Sequence, residues 1–304
     1  MPTLSLTDLS APSAALELGI PAIVGVLYAR RTRALARGAQ PVRGWRQACF
    51  YVGLAVIGAT LTALASAGRQ LAYVHTIEQL LLGDVAPLLI ALGLTGPLLA
   101  PLGALALGSL HPFERLRALA DPLVAFPLWS VDLLAWHLST LNHAALRHGG
   151  VHALEHVCLV GFGIDMWVCL LGPLPRARAL GEPGKLLYVL AVRVSGAILA
   201  NVLLWSGTVL YPVYVNGEAL HRISPVADQN IAGAIMLAEQ AIVTLGLFCW
   251  LFLRAGANRP RSGSAPEPAA SCQPPATAGR IVSSAPSSTG VASPSRKRMS
   301  SPAR

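Results

Sequence analysis

The sequence predicts an all-α polytopic membrane protein with seven transmembrane helices, its N-terminus outside and its C-terminus cytoplasmic. Three observations lead there. Hydrophobic residues make up 54% and charged residues 12%, with a mean hydropathy of +0.56, whereas an ordinary soluble domain is roughly a quarter charged. The apolar residues fall in runs of about 17–25, the length a helix needs to cross roughly 30 Å of hydrocarbon. Arginine is distributed to one side.

The runs cover about 12–29, 49–67, 78–100, 122–138, 151–174, 187–210 and 230–253. They are nearly continuous Leu, Ala, Val, Ile and Gly without the alternation of a β-barrel, so helix is the spanning structure they allow. The first has no basic segment before it and ends at Arg30, Arg31 and Arg33, which marks a retained span rather than a cleaved signal peptide. The second follows Arg43 and Arg46. The third belongs to an apolar stretch from Leu80 to Leu110 broken by Pro87, Pro97 and Pro101. Reading it as two crossings would place most basic residues outside, so one kinked helix is expected. The fourth leaves from Arg115 and Arg117, the fifth returns to Arg176 and Arg178, the sixth leaves from Lys185 and the seventh returns to Arg254.

All but four of the 23 Lys and Arg residues then lie on one side, the exceptions being Arg69, Arg147 and Arg222 outside and Arg193 within a helix. Cytoplasmic loops retain positive charge, which fixes the expected orientation. The net charge of +9 follows from that orientation and requires no nucleic acid. Residues 1–255 form the expected membrane domain. Residues 256–304 are rich in Ser, Pro, Ala and Arg and are expected to be a disordered basic cytoplasmic tail, able to touch anionic lipid. Cys49, Cys158, Cys169, Cys249 and Cys272 show no CxxC pair, so neither a disulfide framework nor a thiolate metal site is indicated.

With this topology His75, His137, His143, His148, His152, His156 and His221 lie at or near the outer face, and His111 alone lies inside. In His75-Thr-Ile-Glu78-Gln79 and in His152-Ala-Leu-Glu155-His156 the polar groups are three and four residues apart, which puts them on one helix face. The seventh helix adds Asp228 at its start and Met236 and Glu239 farther down; Met166 lies close to the stripe of the fifth. Imidazole suits copper or zinc, thioether favours Cu(I), and a carboxylate can ligate or orient a histidine. His75, Glu78, His152, Glu155, His156, Asp228 and Met236 are therefore the candidate metal residues, with His137, His143, His148 and His221 taken as interfacial. Asp84, Asp132, Asp165, Arg193 and Glu239 are ionisable groups within helices; Asp165 and Arg193 can form an internal ion pair, and a structural pair is favoured over a proton or ion path.

The chain resembles the CtaG-type membrane-integral cytochrome c oxidase assembly factors of bacterial plasma membranes. Four segments carry the resemblance over roughly 70–254: His75-Thr-Ile-Glu78-Gln79 with Ala86-Pro87; Trp136-His137-Leu with Ala144-Ala145-Leu; Val151-His152-Ala-Leu-Glu155-His156 leading to Trp167; and Tyr211-Pro212-Val-Tyr214 followed by Ala227-Asp228-Gln229 and Met236. The resemblance implies a multi-pass plasma-membrane protein that assists maturation of a heme-copper oxidase, handles copper at the outer face, and meets an oxidase subunit or other assembly proteins. Gln79 stands where that family usually carries a second histidine. The site then uses Glu78 or another histidine, or its metal binding is altered.

Other classes fit less of the chain. His152-x-x-Glu155-His156 satisfies the H-x-x-E-H pattern of zinc peptidases, but those helices sit in soluble catalytic domains, and no enzyme is expected. A b-type heme would want histidines facing each other inside the bundle, and C-x-x-C-H is absent. A copper transporter would need ligands through the membrane, where the inner half offers mostly Asp165, Arg193 and Cys169. A metal-free scaffold for oxidase assembly is the remaining alternative.

Overall fold

The computed structural model describes residues 11–38, 40–100, 121–172 and 180–257. Among them all regular structure is helical. We label α1 Ala11–Arg37, α2 Gly44–Ala59, α3 Ala72–Leu80, α4 Ala86–Gly93, α5 Pro122–Trp136, α6 Ser139–Arg147, α7 Gly149–Leu171, α8 Glu182–Trp205, α9 Val215–His221 and α10 Pro225–Ala257. Five helical stretches are long and apolar enough to cross a membrane: 44–64, 72–93, 149–171, 183–205 and 225–250; α5 is apolar but shorter. Each apolar run of the sequence thus has a helix. The ends differ from expectation by several residues: α3 starts at Ala72 rather than 78, which places His75 inside a helix instead of ahead of one. The possible second crossing at 101–110, His111, the arginines at 115, 117, 176 and 178, and the tail beyond 257 lie outside the described residues.

The third span is where sequence most directly dictates geometry. Pro87 has no N–H to return to the carbonyl of Gly83, and its ring crowds that oxygen. The chain answers with a π-helical turn, Leu81–Val85, between α3 and α4, a device that loosens a helix and recurs at functional sites. Carbonyls of this turn face α7. Trp167 Nε1 donates to the backbone oxygen of Asp84 at 3.1 Å. Gly83 meets Gly163 backbone to backbone, so close that a Cβ on Gly163 would lie 2.3 Å from the Gly83 oxygen.

At the arginine-rich end the last carbonyls of α4, unsatisfied within the helix, receive Arg46 Nη1, which donates to Leu92 and Leu94 oxygens at 2.9 and 3.1 Å, and Tyr28 Oη, which donates to Gly93 oxygen at 3.0 Å. Tyr28 also stacks on Phe50 with ring centroids 3.7 Å apart, joining α1 to α2. The cation near a helix C-terminus complements its dipole. The opposite end of the bundle gathers the starts of α3, α7 and α10.

The crossing of Gly83 and Gly163 generates a prediction. Gly163→Ala should push α7 away from the π turn and cost about 1–3 kcal/mol, the usual penalty of overpacking, seen as a lower thermal unfolding midpoint in detergent. An unchanged midpoint would show that the two backbones are not in register as described.

Candidate metal centre

Helix α3 is aimed by a carboxylate from another helix. Leu71 is extended ahead of it, and the first two free N–H groups, of Ala72 and Tyr73, donate to Asp228 Oδ2 and Oδ1 at 2.7 and 2.9 Å. Asp228, fully buried at the start of α10, therefore acts as a cap supplied in trans, with its charge at the positive end of the α3 dipole. One turn later His75, Glu78 and Gln79 face α7 and are all buried.

From α7 come His152, Glu155 and His156. One ligand atom each of His75, Glu78 and His152 lie within 4.8 Å of one another. His156 Nε2 is 3.6 Å from Glu78 Oε1, and its ring centroid is 4.1 Å from that of His152. His75 sits between two carboxylates, its Nε2 3.3 Å from Glu155 Oε1 and its Nδ1 3.7 Å from Glu78 Oε2. Gln79 donates from Nε2 to Glu155 Oε1 at 2.7 Å. In place of a fourth imidazole, Gln79 thus fixes the carboxylate that faces His75.

Two carboxylates 1% and 0% exposed carry a large desolvation cost unless positive charge compensates them. The compensation can be a protonated imidazole or a bound cation. Both nitrogens of His75, both oxygens of Glu78 and Nε2 of His152 are buried and make no hydrogen bond of acceptable geometry, so lone pairs converge on one small volume. Imidazole and carboxylate at this spacing match the donor set of a transition-metal ion. The residues present fit copper or zinc.

The other anticipated residues take different places. Asp228 supports the helix bearing His75 and Glu78. Met236, 1% exposed, lines a cavity of about 20 Å³ together with Gln79, Asp132, His137 and Gln240. His137 is thereby drawn inward from the interface where the sequence put it, with its Nδ1 2.9 Å from the Leu133 oxygen. Arg193 pairs with Asp84 and Glu239. Sequence reasoning missed the roles of Asp132, which accepts from Trp136 Nε1 at 2.8 Å, and of Tyr214, whose ring centroid is 6.4 Å from that of His75. The i,i+4 spacing of Asp132 and Trp136 was a usable signal; for Tyr214 the only one was its place in the Tyr211-Pro212-Val-Tyr214 segment.

Helix α9 seats on the turn before α3. A Cβ on Gly217 would lie 2.1 Å from the Gln70 oxygen, and His221 Nε2 is 2.9 Å from Gln70 Oε1. This brings Glu218, 2% exposed, onto Asp228. Burial first, then the hydrogen bond and charge of Asp228, push the Glu218 carboxyl up from its usual 4.5 to about 7.

Compared with known proteins, residues 26–256 match the family model described as cytochrome c oxidase caa3 assembly factor. No curated protein and no solved structure matches.

A pH dependence follows from Glu218. Its value is higher folded than unfolded, so its contribution to stability is complete below about 4.5 and is lost as pH rises through about 7. Glu218→Gln should flatten the dependence of the melting temperature on pH across that window and melt higher than wild type at alkaline pH. Parallel curves for the two proteins would dissociate Glu218 from the stability of the α3 cap.

Proposed function

We propose, for a chain that belongs to the cytochrome c oxidase caa3 assembly factor family, that it assists oxidase maturation by holding copper as cargo between the outer ends of α3 and α7. The carrying observation is the convergence of His75, Glu78 and His152 within 4.8 Å, with His156 and Glu155 beside them. His75, His152 and His156 would supply imidazole, Glu78 a carboxylate, and Glu155, fixed by Gln79, would hold the His75 ring. Met236 would offer a thioether farther in.

The arginine distribution supports seven spans with the N-terminus outside; the centre would then lie on the outer side of a bacterial plasma membrane, where the oxidase or another assembly protein would take up the metal. Capture at one face, with no catalysed reaction, is the simplest use of a site whose ligands stop at one end of the bundle. A metal-free scaffold is the competing account, because protonated imidazoles between Glu78 and Glu155 would make the same contacts.

Anaerobic loading with Cu(I), compared with Cu(II) and Zn(II), separates the two. Wild-type protein in detergent should retain copper in stoichiometric amount and His152→Ala/His156→Ala should not. In cells the same double variant should be inserted normally yet lower the copper content and activity of the oxidase. Absence of metal from wild type, or full oxidase activity in the variant, would favour the scaffold.

A further inference from the structure

Halfway along the bundle lies a second polar cluster. Arg193 of α8 donates from Nη1 and Nη2 to Asp84, with Nη2 3.2 Å from Oδ1, and Nη1 is 3.1 Å from Gln240 Oε1. Trp167 Nε1 adds a 2.8 Å bond to Asp84 Oδ1. Asp84 thus accepts from three donors, two on Arg193 and one on Trp167. Glu239 shares the same single guanidinium. Its nearest cationic atom is Arg193 Nη1 at 3.6 Å, and neither of its oxygens receives a hydrogen bond. An ionised Glu239 would be a second negative charge beside Asp84, sharing one guanidinium and accepting no hydrogen bond, within an apolar bundle, an arrangement that is unfavourable. The charged groups recorded against it are Asp84 from the π turn and Arg193 from α8.

This cluster connects to the metal centre. Gln79, which donates to Glu155, and Gln240, which accepts from Arg193, line the same cavity with Asp84 and Asp132. About 20 Å³ is room for one water molecule, and its lining supplies the polar partners that a buried water requires.

We propose that Glu239 is a proton-binding site in mid-membrane and that the column Gln79–cavity–Gln240 couples its proton to cation occupancy of the His75–Glu78–His152 centre. When a divalent cation takes the place of the imidazole proton held between Glu78 and Glu155, Glu239 releases a second proton to water and the buried charge stays constant. No bond other than N–H and O–H is broken and no electron moves. The coupling rests on the copper proposal above; the proton site does not.

Infrared difference spectroscopy of the full chain in detergent tests both parts, with Cu(II) as the probe. Wild type near neutral pH should show the carbonyl band of a protonated carboxylic acid, shifted in deuterated water, with a component lost in Glu239→Gln and weakened by Cu(II). Glu239→Gln keeps the shape of the neutral acid and should melt with wild type, whereas Asp84→Asn should melt well below it. A band unaltered by Glu239→Gln, or a loss of stability in that variant as large as in Asp84→Asn, overturns the proton site. A band that does not respond to copper demonstrably bound overturns the coupling. If no copper binds while the Glu239 component is present, the copper proposal and the coupling fall and the proton site is supported.

Discussion

The contact on which the rest of the site depends is the backbone-to-backbone crossing of Gly83 and Gly163. With no side chain between them, the third span and α7 approach as closely as two helices can, the packing that small residues permit in membranes. Eight residues separate Gly83 from His75 and eight separate Gly163 from Glu155, about 12 Å along each axis. His75 and Glu155 therefore meet at one height, 3.3 Å apart. A bulkier residue at the crossing would separate the imidazoles of one helix from the carboxylates of the other without touching any of them.

Around that crossing the structure satisfies polar groups by borrowing from neighbouring helices. Asp228 of α10 caps α3, Gln79 of α3 holds Glu155 of α7, and Trp167 of α7 donates to the Asp84 carbonyl in the π turn. In a bilayer no water stands ready to fill such vacancies, so backbone and side-chain groups must find partners within the protein. The borrowed bonds also tie the helices into one arrangement. A group that moves leaves another unpaired.

Much of this was legible in the sequence, for identifiable reasons. Apolar run length gave a helix for each expected span, because length and hydropathy are local properties. The constellation of His75 and Glu78 with His152, Glu155 and His156 was legible because i,i+3 and i,i+4 spacing fixes a shared face, and family resemblance brought the two faces together. Helix ends were missed by several residues, since α3 is started by Asp228, 156 positions away. Arg193 was matched in sequence with Asp165, but it meets Asp84, a choice made by the π turn. His137 looked interfacial and lines an interior cavity, because α5 ends just before it and its ring turns back on Leu133. No local pattern encodes these long-range choices.

The π turn at Leu81–Val85 also sets the angular phase of the third span. Each residue of an α-helix advances about 100°, and the additional residue of a π turn shifts everything beyond it by about that angle. Toward one end the span shows His75 and Glu78 to α7; past the turn Asp84 reaches Arg193 on α8. One helix thereby addresses two different neighbours, at an angle that a uniform α-helix of the same sequence would set differently. Loss of a single residue from this turn would realign the two halves and leave either the imidazole-bearing face or the guanidinium partner pointing the wrong way, so the spacing between positions 78 and 84 is as much a part of the function as the residues themselves.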